Sequence, residues 1–107
     1  MAKFIYIYRG PAAAMSDLTP EQGALRMAAF GAWMDKVGPA LVDVGSPFGS
    51  GASVRDDGTE GSAGDLLGYT IVEADDLAAA KAFTDGLPFL SGSDGDCVVE
   101  IFELLPI

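Results

Sequence analysis

Eight polar side chains in or beside apolar, strand-like segments are the groups of this chain that could do chemistry. They are Tyr6, Tyr8, Arg9, Asp43, Arg55, Tyr69, Glu73 and Glu100. A charged group in a sheet that is covered on both faces costs several kcal/mol unless it is paired or hydrated. In a water-poor cleft, a carboxylate such as Glu73 or Glu100 becomes a better proton acceptor, and Arg9 or Arg55 could hold an anionic group of a ligand. We therefore predict that these residues border a ligand-binding cleft, and we assign none of them a catalytic role.

A structural interpretation competes with this one. Glu73 and Glu100 could lie at the rim of the sheet or pair with arginine across a dimer interface, and we favour this interpretation. Carboxylates that are paired or open to bulk water would leave no base for proton transfer. The location of these two side chains therefore discriminates between a binding protein and an enzyme.

The composition excludes several classes of site. The 107 residues include no histidine, which removes the commonest general base and the Ser-His-Asp and Cys-His catalytic arrangements. The single cysteine excludes an internal disulfide. Acidic clusters at residues 56–60 and 94–96 lack the spacing and the terminal glutamate of a calcium loop. We predict no metal site and no cofactor.

Charge and hydropathy also limit the partners. Sixteen acidic and six basic residues give a net charge of −10, which repels nucleic acid phosphates and anionic lipid head groups alike. The N-terminal apolar run at residues 4–8 is too short for a signal peptide or a membrane span. We therefore expect a cytoplasmic protein with no nucleic acid partner and no membrane partner.

Hydrophobic patterning divides the chain into strands and helices. Residues 4–8 alternate in direction but are apolar on both sides, which is typical of a strand covered on both faces. Thr19 and Gln22 fit a capping box at the start of a helix, and Gly38 and Pro39 end that helix.

The remaining elements complete a single domain of residues 1–107. They are a loop at 10–18, a strand at 41–45, a glycine-rich segment at 46–64 with a short strand entering a hairpin turn at Asp57-Gly58, a strand at 69–74, a helix from Leu77 to about Asp85, a polar turn at 91–96 and a strand at 98–105. Two right-handed crossovers in this order predict an α+β fold, namely a ferredoxin-like antiparallel sheet with two helices on one face.

Two helices on one face leave the other face of an apolar sheet uncovered. If Ile5 and Ile7 pack beneath the helices, Tyr6 and Tyr8 face away from them. An exposed apolar face of this extent favours association with a second copy of the chain. We therefore expect a homodimer in which the tyrosines line a cleft between the sheet and the partner subunit.

Three segments resemble the YCII-related, or DGPF-domain, proteins. They are residues 5–10, with the sequence Ile-Tyr-Ile-Tyr-Arg-Gly, the helix start at 18–21, and residues 68–77, where the likeness is most specific. The resemblance covers nearly the whole chain. It implies a dimeric α/β barrel, the architecture also used by small monooxygenases and muconolactone isomerase-like proteins.

Two departures limit what the resemblance implies about activity. The branch of the family regarded as enzymatic has a His-Asp pair, with its histidine on the first helix, where this chain has Met27, Ala28 and Ala29. The Asp-Gly-Pro-Phe signature is also missing, and residues 57–60 are its nearest remnant. An active site of that kind is therefore not carried over.

Three hypotheses about function follow. The primary one is a homodimer that binds a small, partly apolar molecule beside Tyr6, Tyr8 and Tyr69, in a cleft between the sheet and the partner subunit. The first alternative is a cofactor-independent isomerase or monooxygenase-like enzyme in which Glu73 or Glu100 moves a proton. The second alternative is a purely structural dimerisation module.

Overall fold

The computed structural model describes residues 2–10, 19–90 and 95–106. Most of the predicted loop 10–18 and of the polar turn 91–96 lies outside the described residues. The elements, in chain order, are β1 (Ala2–Arg9), α1 (Pro20–Val37), β2 (Leu41–Pro47), β3 (Ala52–Val54), β4 (Glu60–Ser62), β5 (Leu66–Ala74), α2 (Leu77–Ala82) and β6 (Val98–Leu104). Short 3-10 turns follow α1 at Gly38–Ala40 and precede β6 at Pro88–Leu90.

The main sheet has four strands in the order β2-β5-β1-β6, and all neighbouring strands are antiparallel. This order confirms the predicted α+β, ferredoxin-like sheet. The short strands β3 and β4 form a separate two-stranded ribbon, whose turn contains Gly58 at a φ of 88°. The predicted hairpin at Asp57-Gly58 is therefore present.

Helix α1 begins and ends where the sequence predicts. The Thr19 hydroxyl accepts from the backbone N–H of Gln22, and the Gln22 side chain accepts from the backbone N–H of Thr19, so the capping box is complete. At the other end, Gly38 has a φ of 62°, which glycine adopts at little cost. Trp33 and Val37 are the buried side chains of this helix.

Helix α2 is shorter than predicted, because it ends at Ala82 rather than near Asp85. Side chains of other elements donate hydrogen bonds to carbonyl groups at its C-terminal end and in the turns that follow. The Tyr6 hydroxyl donates to the Ala80 carbonyl at 2.5 Å, and the Trp33 indole N–H donates to the Phe83 carbonyl at 2.6 Å. These bonds satisfy acceptors that a continuing helix would have paired internally.

The expected orientation of strand β1 was wrong. Tyr6 and Tyr8 face the helices, with exposed fractions of 0% and 9%, whereas Ile5 and Ile7 point to the opposite, open face. Both sides of the strand are apolar, so the alternation alone could not decide between the two orientations. The helix side is favoured because it offers aromatic neighbours and buried partners for both hydroxyls: Tyr6 packs against Trp33, with ring centroids 6.3 Å apart.

A β-bulge bends strand β2 where it pairs with β5. The register shifts between Asp43 and Ser46, and Gly45 lies inside the shift with a φ of 79°. A Cβ atom at Gly45 would lie 1.7 Å from the Tyr69 carbonyl oxygen, so only glycine fits there. Asp43 braces the bulge, because its Oδ1 accepts from the Gly45 N–H at 2.9 Å.

Candidate binding cavity

A cavity of about 510 Å³ lies between helix α1 and the end of the sheet formed by β2 and β5. Its volume is within the usual range of small-molecule sites. Apolar side chains make most of the wall: Met27, Phe30 and Met34 on α1, Val44 and Pro47 on β2, Leu67 on β5, and Pro88 and Phe89 in the second 3-10 turn.

Two glycines border the cavity, and only the one on α1 leaves space unfilled. Gly68 lies directly opposite Tyr8 in the register, but a Cβ atom there would lie 2.9 Å from the Ser46 carbonyl oxygen, so this glycine allows the close approach of β2. On α1, Gly23 borders the same cavity, and a Cβ atom built there would meet nothing within 4 Å. Thr70, two residues after Gly68, is the next small side chain on this face. The cavity therefore results from the sequence of β5 and α1.

Two hydroxyl groups form the polar end of the cavity. The Tyr8 hydroxyl and the Thr70 Oγ1 lie 2.6 Å apart, and Thr70 Oγ1 also donates to the Val44 carbonyl at 2.9 Å. Since the Thr70 proton is directed to Val44, the Tyr8 hydroxyl donates to Thr70. Burial raises the pKa of the Tyr8 phenol. Tyr8 is therefore a neutral phenol at physiological pH.

Arg26 is the charged residue among those that line the cavity. Its side chain extends from α1 toward the second 3-10 turn, where one guanidinium N–H donates to the Pro88 carbonyl at 3.3 Å. No carboxylate belongs to the described lining, so the cavity has a donor group but no general base of that type. Phe89, next to Pro88, also lines the cavity, with its ring 5.1 Å from that of Tyr8.

Two of the eight predicted residues line this cavity, Tyr8 and Tyr69, but the pairing of Tyr69 with Ile7 directs the Tyr69 side chain to the open face. Tyr6 is used structurally, since its hydroxyl is bonded to the Ala80 carbonyl in the core. Burial, together with the neighbouring Tyr8, raises the pKa of Tyr6 to about 12.

Three further candidates lie on the open face of the sheet instead. Arg9 Nη1 and Glu100 Oε1 form an ion pair at 3.1 Å, and both side chains remain partly exposed, at 42% and 37%. Glu73 is half-buried and lies directly across from Lys3 in the register. Neither glutamate borders the cavity, so the carboxylates proposed as proton acceptors are separated from it.

Asp43 and Arg55 have local roles at the surface. Asp43 Oδ2 accepts from the Tyr69 hydroxyl at 3.2 Å, and repulsion by this carboxylate raises the pKa of the Tyr69 phenol. The Tyr69 ring also stacks on Phe48 at 6.0 Å. Arg55 is exposed in the β3–β4 hairpin, where its backbone pairs with Thr59.

Sequence reasoning missed Arg26, Thr70 and Phe89 as members of a site. Arg26 stands at the edge of the apolar stripe of α1, a position that is usually solvated. The available signal was Gly23 in a helix and Gly68 in a strand, because glycine weakens either element and indicates a packing or functional reason.

Two further features, a membrane-spanning helix and a cluster of metal ligands, can be assessed for the described residues. No helix in the described ranges is both long enough and apolar enough to cross a membrane. Within the same ranges, no group of three or more His, Cys, Asp or Glu side chains is arranged to hold a metal ion.

The fold and the cavity define a small α+β protein with a ferredoxin-like sheet and an internal space between helix and sheet. The chain belongs to the YCII-related domain family, which matches residues 1–105 and confirms the resemblance seen in the sequence. A similar solved structure is 5-chloro-2-hydroxyhydroquinone dehydrochlorinase (TftG) from Burkholderia phenoliruptrix AC1100, in complex with 2,5-dihydroxybenzoquinone. It has a TM-score of 0.55 and 19% identity, covering 92% of this chain and 90% of the other, so the likeness concerns the fold. The comparison with curated proteins gave no match.

Proposed function

We propose that this protein is a homodimer that binds a small, largely apolar molecule in the cavity between α1 and the sheet. The observation that carries the proposal is the cavity itself, about 510 Å³ in volume, with apolar walls and a small polar end. The proposal keeps the predicted ligand class but moves the site from the partner side of the sheet to its helix side.

The polar end supports binding of a molecule with one polar group. Its hydroxyl pair, Tyr8 and Thr70, is fixed by the Val44 carbonyl, so the geometry exists before a ligand arrives. The similar dehydrochlorinase was crystallised with 2,5-dihydroxybenzoquinone, a ring compound with polar substituents. A ligand of comparable type, with a ring and few polar atoms, suits the cavity of this chain.

The structure gives more support to a binding function than to an enzymatic function in which a strand carboxylate transfers a proton. Glu100 is paired with Arg9, and Glu73 lies opposite Lys3. Both glutamates are outside the cavity lining, so the predicted bases do not reach a molecule bound there. The enzymatic alternative therefore has less support than the binding function.

The open face of the sheet supports the second part of the proposal, dimerisation. Ile5 is directly opposite both Ile71 and Phe102 in the register, and Phe102 is 53% exposed. An apolar patch in the middle of a sheet favours association. Charge supports a second copy as the partner, because the two basic and three acidic residues that the sheet places on this face nearly cancel; they are Lys3, Arg9, Asp43, Glu73 and Glu100.

Self-association of a chain with a net charge of −10 is favoured by a surface that is nearly neutral. Two sheets packed through this face would give the dimeric α/β barrel that the family resemblance implies. The proposal includes the cytoplasm as the location.

Ligand binding is tested with a neutral probe, 2-naphthamide, titrated calorimetrically into the wild-type protein. We expect measurable binding, which Gly23→Phe abolishes because its ring fills the cavity. Ala24→Phe is the matched control, since Ala24 is exposed and does not border the cavity. The binding proposal fails if the wild-type protein does not bind the probe or if both variants bind it equally.

Dimerisation is tested by sedimentation equilibrium. We expect the wild-type protein to be a dimer, and Phe102→Asp to raise the dimer Kd by about 100-fold or more, because it places an unpaired charge in the interface. Leu25→Asp is the control: Leu25 is 72% exposed on α1 and the variant has the same charge change. A wild-type monomer, or equal weakening by both variants, would exclude the open face as the interface.

A further inference from the structure

We propose that the ligand of the cavity is an anion, with an apolar body and one carboxylate or phenolate oxygen that is bound by Arg26. This inference rests on the proposed function and names the chemical class of the molecule that the cavity holds.

The position of Arg26 is the first observation behind this inference. The residue is half-buried and borders the cavity, and one of its N–H groups donates to the Pro88 carbonyl at 3.3 Å. This single bond holds the guanidinium across the gap between α1 and the second 3-10 turn. Among the described residues, no carboxylate lies within 4.0 Å of it, and its other N–H groups have no bonded partner.

The second observation is the charge of the surroundings. The chain has sixteen acidic residues, yet none belongs to the described lining of the cavity. Arg26 is half-buried beside apolar walls that include the half-buried side chains of Phe30 and Met34. Electrostatic attraction is stronger in such a medium than in water, so an anionic oxygen gains more here than at the exposed Arg55.

The geometry of arginine defines the chemistry of the partner. A guanidinium presents several N–H donors in one plane, and a carboxylate accepts two of them at once. The neutral hydroxyl of Tyr8 is at the polar end of the same cavity and adds no negative charge that would repel an anion. The rest of the wall requires an apolar body, which a ring or a short chain provides.

The test compares two probes that differ in charge, 2-naphthoate and 2-naphthamide, by calorimetric titration at neutral pH. A hydrogen bond to a charged group contributes roughly 1.5–3 kcal/mol, so we expect the wild-type protein to bind the carboxylate about 10-fold to 100-fold more tightly than the amide. Arg26→Gln should abolish this preference by lowering the affinity for 2-naphthoate more than the affinity for 2-naphthamide. Arg55→Gln removes an equal charge from an exposed hairpin and should change neither affinity.

The possible results separate the inference from the proposed function. Equal affinity of the wild-type protein for both probes overturns the inference but leaves cavity binding intact. A preference for 2-naphthoate that survives in Arg26→Gln, or that is lost equally in Arg55→Gln, also overturns the role of Arg26. Failure of both probes to bind overturns the proposed function and the inference together. Thermal unfolding of each variant shows whether it is folded.

Discussion

The two faces of the sheet use the same kind of sequence in different ways. On the face that the helices cover, Phe4 and Tyr6 have exposed fractions of 1% and 0%. On the open face, Ile5 and Ile7 are only half-buried, and Phe102 is 53% exposed. Both sets come from alternating positions of antiparallel strands, so the difference lies in what each face packs against.

The polar groups of the two faces also differ in burial: those of the covered face have buried partners, and those of the open face stay partly hydrated. On the covered face, the Tyr6 hydroxyl is bonded to a helix carbonyl, and the Tyr8 hydroxyl is bonded to Thr70. On the open face, Arg9 and Glu100 pair with each other while partly hydrated. The chain therefore completes the covered face by itself, apart from the cavity beside Gly68, whereas the open face has the properties of a surface that packs against another subunit.

The largest expected effect is on the free energy of unfolding, when phenylalanine is truncated to alanine on the covered face and, for comparison, on the open face. Phe4→Ala should lower the free energy of unfolding by about 3–5 kcal/mol, because it leaves a cavity among fully buried side chains. Phe102→Ala should cost about 1 kcal/mol or less in the monomer, because the ring is already half-exposed. Urea unfolding at two protein concentrations measures both losses.

Protein concentration distinguishes the two variants further. The loss in Phe4→Ala should be independent of concentration, whereas the loss in Phe102→Ala should increase at concentrations where the wild-type protein is dimeric. Equal losses that do not depend on concentration would contradict the proposed difference between the faces.

A second prediction concerns pH and the buried phenol of the covered face. The pKa of Tyr6 is raised from 10.0 to about 12 by burial, so the folded protein keeps this proton between pH 10 and pH 12 while the unfolded chain loses it. The free energy of unfolding should therefore be unaffected by Tyr6 below pH 10 and should fall above it, by roughly 2 kcal/mol at pH 12. Urea unfolding from pH 8 to pH 12 measures this decrease.

Two variants isolate the contribution of Tyr6. Tyr6→Phe should lose about 1–3 kcal/mol at neutral pH, since the Ala80 carbonyl loses its partner, and should show a smaller decrease above pH 10. Tyr69→Phe removes a hydroxyl whose partner, Asp43, is exposed, and should retain the decrease. An unchanged pH profile in Tyr6→Phe would show that another group causes the alkaline loss.

Local patterns in the sequence were sufficient to predict most of the fold. The capping residues Thr19 and Gln22, the glycine stop at Gly38 and the hairpin turn at Gly58 each depend on neighbouring residues only. The orientation of β1 depends on which helix side chains meet it, and Tyr6 and Ile5 are both compatible with burial. That choice is made by tertiary contacts, chiefly Trp33 and the Ala80 carbonyl.

The candidate site was less predictable for a related reason. Polar residues in strands, such as Glu100, were predicted to border a binding cleft because an unpaired buried charge is costly. The structure pairs this one with Arg9. The cavity depends instead on how α1, with Gly23 on its inner side, lies relative to β2 and β5. That space is set by distances between elements that are far apart in sequence.

The smallest expected effect is the coupling between Arg9 and Glu100, which sharpens the description of the open face. The two groups are 3.1 Å apart and partly exposed, so in a monomer their interaction should contribute about 0.2–1 kcal/mol. A double-mutant cycle with Arg9→Met and Glu100→Gln, carried out in the Phe102→Asp background to keep the protein monomeric, measures this coupling by urea unfolding.

A cycle without Phe102→Asp, at a concentration where the protein is dimeric, should give a larger coupling, because the partner subunit removes water from the pair and strengthens their attraction. Equal coupling energies in the two backgrounds would mean that this pair stays hydrated in the dimer, and the interface would then have to exclude the edge of the sheet where Arg9 and Glu100 lie.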